Sequence, residues 1–269
     1  MDIYQLAGFT GALLTGLILG LLGGGGALLS IPVLVYLFHL DASVATGYSL
    51  FLVAVTASIG AVQNIRKKMV DYQAVLYYGI PSVISVYCMR RFVMPKLPDV
   101  IFNIGNYAVG KNHFILFILS IVMFGAGYKM FTAKDSPQEN EVPHPNQYIK
   151  LMLLAMMIGS FLGLVGAGGG FLMIPALVYF ANLPMTRAVS TSLVLVAVNS
   201  FIGFLGDVHS NQNMDWKFLM LFSAFSVVGV FVGFYLQSKI DGQRLKKYFG
   251  GFMMLMAVFI VMKETFKNL

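Results

Sequence analysis

"GLLGGGGALLSIPVLVYLFHL" occupies residues 20–40, and "GLVGAGGGFLMIPALVYFANL" occupies residues 163–183. The two stretches align without a gap at an offset of 143, and about half of positions 20–60 recur in the second copy. Pro32, Tyr36, Ser49 and Gly60 meet Pro175, Tyr179, Ser192 and Gly203 at that offset. A glycine inside a helix costs about 1 kcal/mol relative to alanine. Gly23, Gly24, Gly25 and Gly26, and likewise Gly166, Gly168, Gly169 and Gly170, therefore mark a helix break in each copy. The echo continues weakly in "MVDY" (69–72) and "NMDW" (213–216). The chain reads as two homologous halves, 1–131 and 149–269, joined by a polar, proline-containing linker at 132–148.

Around these motifs the sequence is apolar. Hydrophobic residues make up 58% of the 269-residue chain and charged residues 11%, and mean hydropathy is +0.80. Soluble domains carry about 25% charged residues, so this chain has too little charge to cover a water-facing surface. Apolar runs at 6–22, 45–62, 74–88, 114–128, 151–165, 188–205, 218–236 and 248–262 each approach the ~20 residues needed to cross a bilayer. The expected fold is an all-α polytopic membrane protein built from two homologous halves with glycine-broken helices. Eight spans is the nominal count. If 27–40 and 171–183 cross separately, each half has five spans and the repeat is inverted. The 18 lysines and arginines divide nine to nine under the first count and seven to eleven under the second. By the positive-inside rule the first division decides nothing, and the second mildly favours the inverted count, with the linker and 66–68 cytoplasmic; against it, 13 or 14 residues is short for a crossing.

The amino terminus "MDIYQLAGFTG" has no basic region and does not read as a cleaved signal peptide. The single cysteine, Cys88, excludes an internal disulfide framework, and its place in an apolar run reads as a buried small hydrophobe. Formal charge is +7, but the basic clusters at 66–68, 90–91 and 246–247 are short. They read as headgroup anchors, and no nucleic-acid partner is implied. "GNYAVGKN" (105–112) resembles a phosphate loop, yet Asn112 stands where the magnesium-binding hydroxyl belongs. His39, His113, His144 and His209 lack metal spacing, and no G-x-S-x-G elbow occurs. The chain is not expected to be an enzyme, and no cofactor or metal is implied.

Duplicated halves with interrupted helices place a transporter site where the breaks meet. A restarted helix presents unpaired N–H groups and about half a positive charge, and glycines let a ligand approach that backbone. Pro32 and Pro175 release a further carbonyl and bend each new helix. In lipid, irregular backbone is tolerated only inside protein or along a cavity. The glycines, Pro32, Pro175, Ser49, Thr191, Ser192 and Asn199 are therefore candidate substrate-binding residues for a small anion. Thr46, Thr56, Ser58, Gln63, Asn64, Ser190 and Ser200 add uncharged hydrogen-bonding groups to the same spans. The plainer alternatives are close helix packing for the glycines and backbone hydrogen bonds for the hydroxyls. No ionisable residue lies deep in a predicted span, and Asp41, Asp71, Asp207 and Asp215 fall near span ends as capping or interfacial groups. A site of dipoles alone is expected. With the cell interior negative, outward movement of one anion gains about 2.3 kcal/mol per 100 mV.

These residues resemble the sulfite exporter TauE/SafE family, also called TSUP. The likeness rests on both glycine motifs, on "YSL" (48–50) and "TSL" (191–193), and on "KMVDY" and "QNMDW". The first half has Tyr48 where the second has Thr191, and the insertion at 94–113 has no counterpart. The resemblance implies a multipass permease of the cell membrane for sulfite, organosulfonates or related sulfur compounds. Its partners would be a small anionic substrate and the lipid bilayer, with a homo-oligomer left open. A non-transport membrane scaffold is the competing function class.

Overall fold

The computed structural model describes residues 3–22, 27–98, 100–104, 107–132, 145–165, 169–208, 214–237 and 239–266. Gly23, Gly24, Gly25, Gly26, Gly166 and Gly168 lie outside the described residues, as does the linker segment 133–144. The first half contributes α1 (Ile3–Leu22), α2 (Ala27–Tyr36), α3 (Ala42–Arg66), α4 (Tyr72–Cys88) and α5 (Lys111–Thr132). The second contributes α6 (Pro145–Val165), α7 (Gly170–Phe180), α8 (Met185–Val208), α9 (Trp216–Gln237) and α10 (Gly242–Phe266). Residues 145–148 of the expected linker thus already belong to α6.

α2 and α7 have 10 and 11 residues. At 1.5 Å per residue they span about 15–17 Å, half a hydrocarbon core. Both end in the same way. His39 and Asn182 take left-handed conformations, φ 54° and 51°, and the Leu40 and Leu183 amides donate to the Leu34 and Leu177 carbonyls at 3.2 Å. These closures sit 143 residues apart and satisfy the last carbonyls of each short helix.

Contacts fix the direction of each long helix. α3 and α8 pack antiparallel, with Gly47 against Asp207, Gly203 against Leu50 and Gly60 against Leu193. α1 and α9 are parallel, Gly16 meeting Ser226 and Gly20 meeting Gly233. α3 also parallels α9, with Tyr48 beside Phe218 and Gly60 beside Phe234. α4 parallels α6 through Gly159 at Ser82 and Gly163 at Met89, and parallels α8 through Ser82 at Asn199 and Gly206 at Arg90. α2 folds back on α1, Gly11 lying against Val33 and Leu37. Hence α1, α3 and α9 point one way and α4, α6 and α8 the other. Helices matched by the 143-residue offset (α1 with α6, α3 with α8, α4 with α9) run in opposite directions. The packing obeys the same exchange: α1 lies on α9 as α6 lies on α4, and α2 on α3 as α7 on α8.

The exterior is apolar. Ile80 and Ile84 of α4, Phe117 and Ile121 of α5, and Phe231 and Tyr235 of α9 are exposed. Among the described residues, segments of four helices are long and apolar enough to cross a bilayer: Val44–Arg66, His113–Thr132, Met185–Val208 and Trp216–Gln237. The chain is a multi-pass membrane protein. The central pair is α3 and α8, whose apolar windows are 72% buried, against 39% for α5 and 44% for α9. Cys88 departs from expectation. It is exposed, because it continues the outward stripe of Leu76, Ile80 and Ile84 at four-residue spacing.

The insertion adds a small β element to the expected all-α fold. After α4 come a π-helical turn, Met89–Val93, and a 3-10 turn, Met94–Lys96. Strands β1 (Val100–Ile104) and β2 (Tyr107–Gly110) then pair antiparallel. Gly110 ends β2 and Lys111 opens α5 directly, so the phosphate-loop-like sequence here builds a hairpin strand and a helix start.

Candidate functional site around the broken helices

α2 and α7 touch each other, and each packs along one of the two central helices. The described edge of the second break shows why glycine stands there. Gly169 caps α7 in the left-handed region at φ 80°, and its carbonyl accepts the Leu172 and Met173 amides at 3.1 Å. A Cβ on Gly169 would lie 2.0 Å from Leu162 Cδ1. Gly170 is the first residue of α7 and is buried. The first amides of such a helix have no partner within it. Pro32 and Pro175 lie inside α2 and α7, where each removes a backbone donor.

The candidate side chains divide by partner. Ser49, fully buried, shares a short hydrogen bond with Ser30 and ties α2 to α3. Its counterpart Ser192 donates to its own helix, at the Val189 carbonyl, 2.8 Å. Met173 occupies the place equivalent to Ser30, so Ser192 has no such hydroxyl to meet. Thr191 accepts the Asp71 amide at 3.0 Å, and Tyr48 accepts the Asp215 amide at 2.8 Å. The Tyr-for-Thr difference therefore preserves one task, holding the start of a helix from the opposite half. Asp71 and Asp215 cap those starts, accepting the Ala74 and Phe218 amides. The Asn199 amide donates to Ser82 Oγ at 2.9 Å. Thr56 and Ser58 bond back to the Leu52 and Ala54 carbonyls.

Several polar groups in the interior escaped sequence reasoning. Ser30 and Ser82 carry the two cross-helix bonds just described. Tyr78, likewise missed, and Ser200, which the sequence did single out, are buried, and their hydroxyls have no hydrogen-bond partner among the described residues. A buried hydroxyl without a partner is disfavoured by about 1–3 kcal/mol, and such groups concentrate where a ligand or water completes the set. An apolar cavity of about 350 Å³ between α4 and α8 is lined by Leu76, Ile80, Val194 and Val198 among others. It opens on the lipid-facing stripe and offers an anion no donor.

The largest departure is Arg90. Its neighbour Arg91 is exposed, as a headgroup anchor should be, whereas Arg90 is 1% exposed. Both lie in the π-helical turn after α4, and as successive helical residues their side chains point to different sides, one outward and one inward. Arg90 Nη1 donates to Asp207 Oδ2 at 2.9 Å and to Thr46 Oγ1 at 3.3 Å. The interior thus holds a formal cation and its carboxylate, joining α3, α8 and the end of α4.

Known proteins give the frame for this geometry. The model of the sulfite exporter TauE/SafE family matches residues 8–260. A "probable membrane transporter protein" of Xylella fastidiosa is 24% identical over 254 residues, covering 93% of this chain and 92% of the relative. Similarly named proteins of Methanocaldococcus jannaschii and Bacillus subtilis are 26% and 25% identical, covering 74% and 77% of this chain and 72% and 79% of their own lengths. No solved structure gives a significant match. With the family model spanning both glycine motifs and all ten helices in whole or part, the chain belongs to the sulfite exporter TauE/SafE family.

Proposed function

We propose that this protein is a secondary transporter that exports a small anion, of the sulfite, organosulfonate or related sulfur class, across the cell membrane. Its halves, 1–131 and 149–269, are inverted repeats of five helices in which α2 and α7 are half-length. The substrate site lies where the two restarted helices meet. It is formed by Gly23, Gly24, Gly25, Gly26 and Pro32 of the first break and Gly166, Gly168, Gly169, Gly170 and Pro175 of the second, with Ser49, Thr191, Ser192 and Asn199. Ser49 carries the most weight among the side chains, since it alone of these links a broken helix to a central one. Thr191 and Ser192 shape the site through the backbone they hold.

The observation that supports this reading most is the pairing of α2 and α7. Two helices too short to cross, in halves of opposite direction, contact one another, each lying on one of the central helices. Exchanging the halves exchanges the two faces of the membrane, which is what alternating access around a central site requires.

Counterflow of labelled sulfite in proteoliposomes of the purified chain tests the function. Uptake driven by internal sulfite or a sulfonate is the expected result. Folded protein that moves none of these anions returns the chain to the scaffold reading. Gly25→Leu should abolish counterflow with insertion intact, and unaltered counterflow in that variant would displace the site from the breaks.

A further inference from the structure

Arg90 is the one charged side chain in the buried class among the described residues. A guanidinium has five N–H donors in a planar fork. Only Nη1 is engaged here, by Asp207 and Thr46. Nε and Nη2 are buried and have no hydrogen-bond partner among the described residues. These two nitrogens share one edge of the guanidinium, the edge that receives two oxygens of one carboxylate or similar oxyanion. Turning that edge onto the carboxylate would satisfy both donors, which buried charge requires to be tolerated. Asp207 instead bridges through a single oxygen to the far nitrogen.

The place is also informative. Met89, adjacent to Arg90, lies against Gly163 near the end of α6, the helix that leads into the second glycine segment. Gly206 of α8 gives Arg90 its room, a Cβ there falling 3.0 Å from Arg90 Cβ. At the repeat offset Arg90 corresponds to Gly233 and Asp207 to Asn64. The other end of the central pair accordingly carries a neutral contact, Ser190 donating to Asn64 Oδ1 at 3.0 Å. The cation belongs to one end only.

We propose that the Nε–Nη2 edge of Arg90 is an anion subsite, taking two oxygens of a sulfite- or sulfonate-class oxyanion while Nη1 stays on Asp207. The identity of that anion rests on the transport reading above; the existence of the subsite does not. Both nitrogens are closed off in this conformation, so the subsite fills when the surrounding helices part. It adds a formal charge to a path otherwise lined by dipoles and hydroxyls, on one side of the membrane.

Equilibrium binding to the full-length chain in detergent tests it, with sulfite and isethionate as probes and chloride as a control that cannot bridge two donors. Arg90→Lys keeps the charge and loses the fork. Its affinity for sulfite and isethionate should fall at least about tenfold, with the chloride response unchanged. Undiminished affinity in folded Arg90→Lys overturns the proposal. A second measurement needs no variant: crystals of the unaltered protein grown with selenite, a heavier pyramidal analogue of sulfite. An anomalous peak within hydrogen-bond distance of Nε and Nη2 is expected; a peak elsewhere alone, or none, overturns it, whether or not Arg90→Lys folds. Binding at Arg90 without counterflow would leave the subsite standing and remove the transport reading. Counterflow with unchanged binding in Arg90→Lys would do the reverse.

Discussion

Asn64 and Asp207 stand 143 residues apart at equivalent places in the two halves. One accepts a serine hydroxyl and the other holds a buried guanidinium. Removing the carboxylate leaves Arg90 without its counter-charge, so Asp207→Ala should destabilise the protein by about 3–5 kcal/mol. Asp207→Asn, which keeps an acceptor, should cost clearly less. Thermal unfolding in detergent checks the order, and equal midpoints for both variants and the parent would contradict it. Gly169→Ala meets two penalties at once, a positive φ that opposes a side chain and a Cβ 2.0 Å from Leu162. The conformational part alone is about 1–2 kcal/mol, and the same assay should register at least that. At this scale the sequence was partly legible. Self-comparison picked out Pro32, Pro175 and Ser49, because repetition at a fixed offset is visible without coordinates. Arg90 was not visible. Two arginines ending an apolar run look alike in one dimension, and only the packing around the end of α4 shows which one faces inward.

Helix contacts are set by small residues. A Cβ on Gly16 would fall 1.8 Å from the Ser226 carbonyl oxygen, whereas one on Gly125 meets nothing within 4 Å. Gly16→Leu should therefore abolish folded, monodisperse protein, and Gly125→Leu should leave it unchanged, as size-exclusion chromatography can show. A folded Gly16→Leu variant would mean that α1 and α9 do not touch as described. The plain packing role first weighed for the glycine breaks is thus the real role of glycines elsewhere, in α1, α6 and α9. Apolar runs and turn residues revealed that these helices exist. They could not reveal whether α2 and α7 cross. A run of 13 or 14 residues including its turn is ambiguous, and the surrounding charges were nearly balanced. Helix direction comes from residue-to-residue contacts, which composition does not encode.

For the whole molecule, the inverted arrangement proposed above puts the linker on the face opposite the amino terminus, whereas four passages in the first half would put both on the same face. In a Cys88→Ser background, Ser136→Cys should react with an impermeant maleimide only from the side opposite Met1. Labelling from the same side would favour parallel halves. The duplication that suggested two units was easy to read from the chain, but how the units combine was not. Their main contacts are exchanged, α1 going to α9 and α6 to α4, and no local pattern encodes so distant a partner.

That exchange bears on biogenesis. The ribosome delivers α1 first, yet its chief neighbour, α9, follows some two hundred residues later. Until then the face of α1 that carries Gly16 and Gly20 has no helix of its own to rest on. The two halves must wait for each other, and a nascent chain halted before residue 216 would leave the insertion machinery holding α1 without its chief partner.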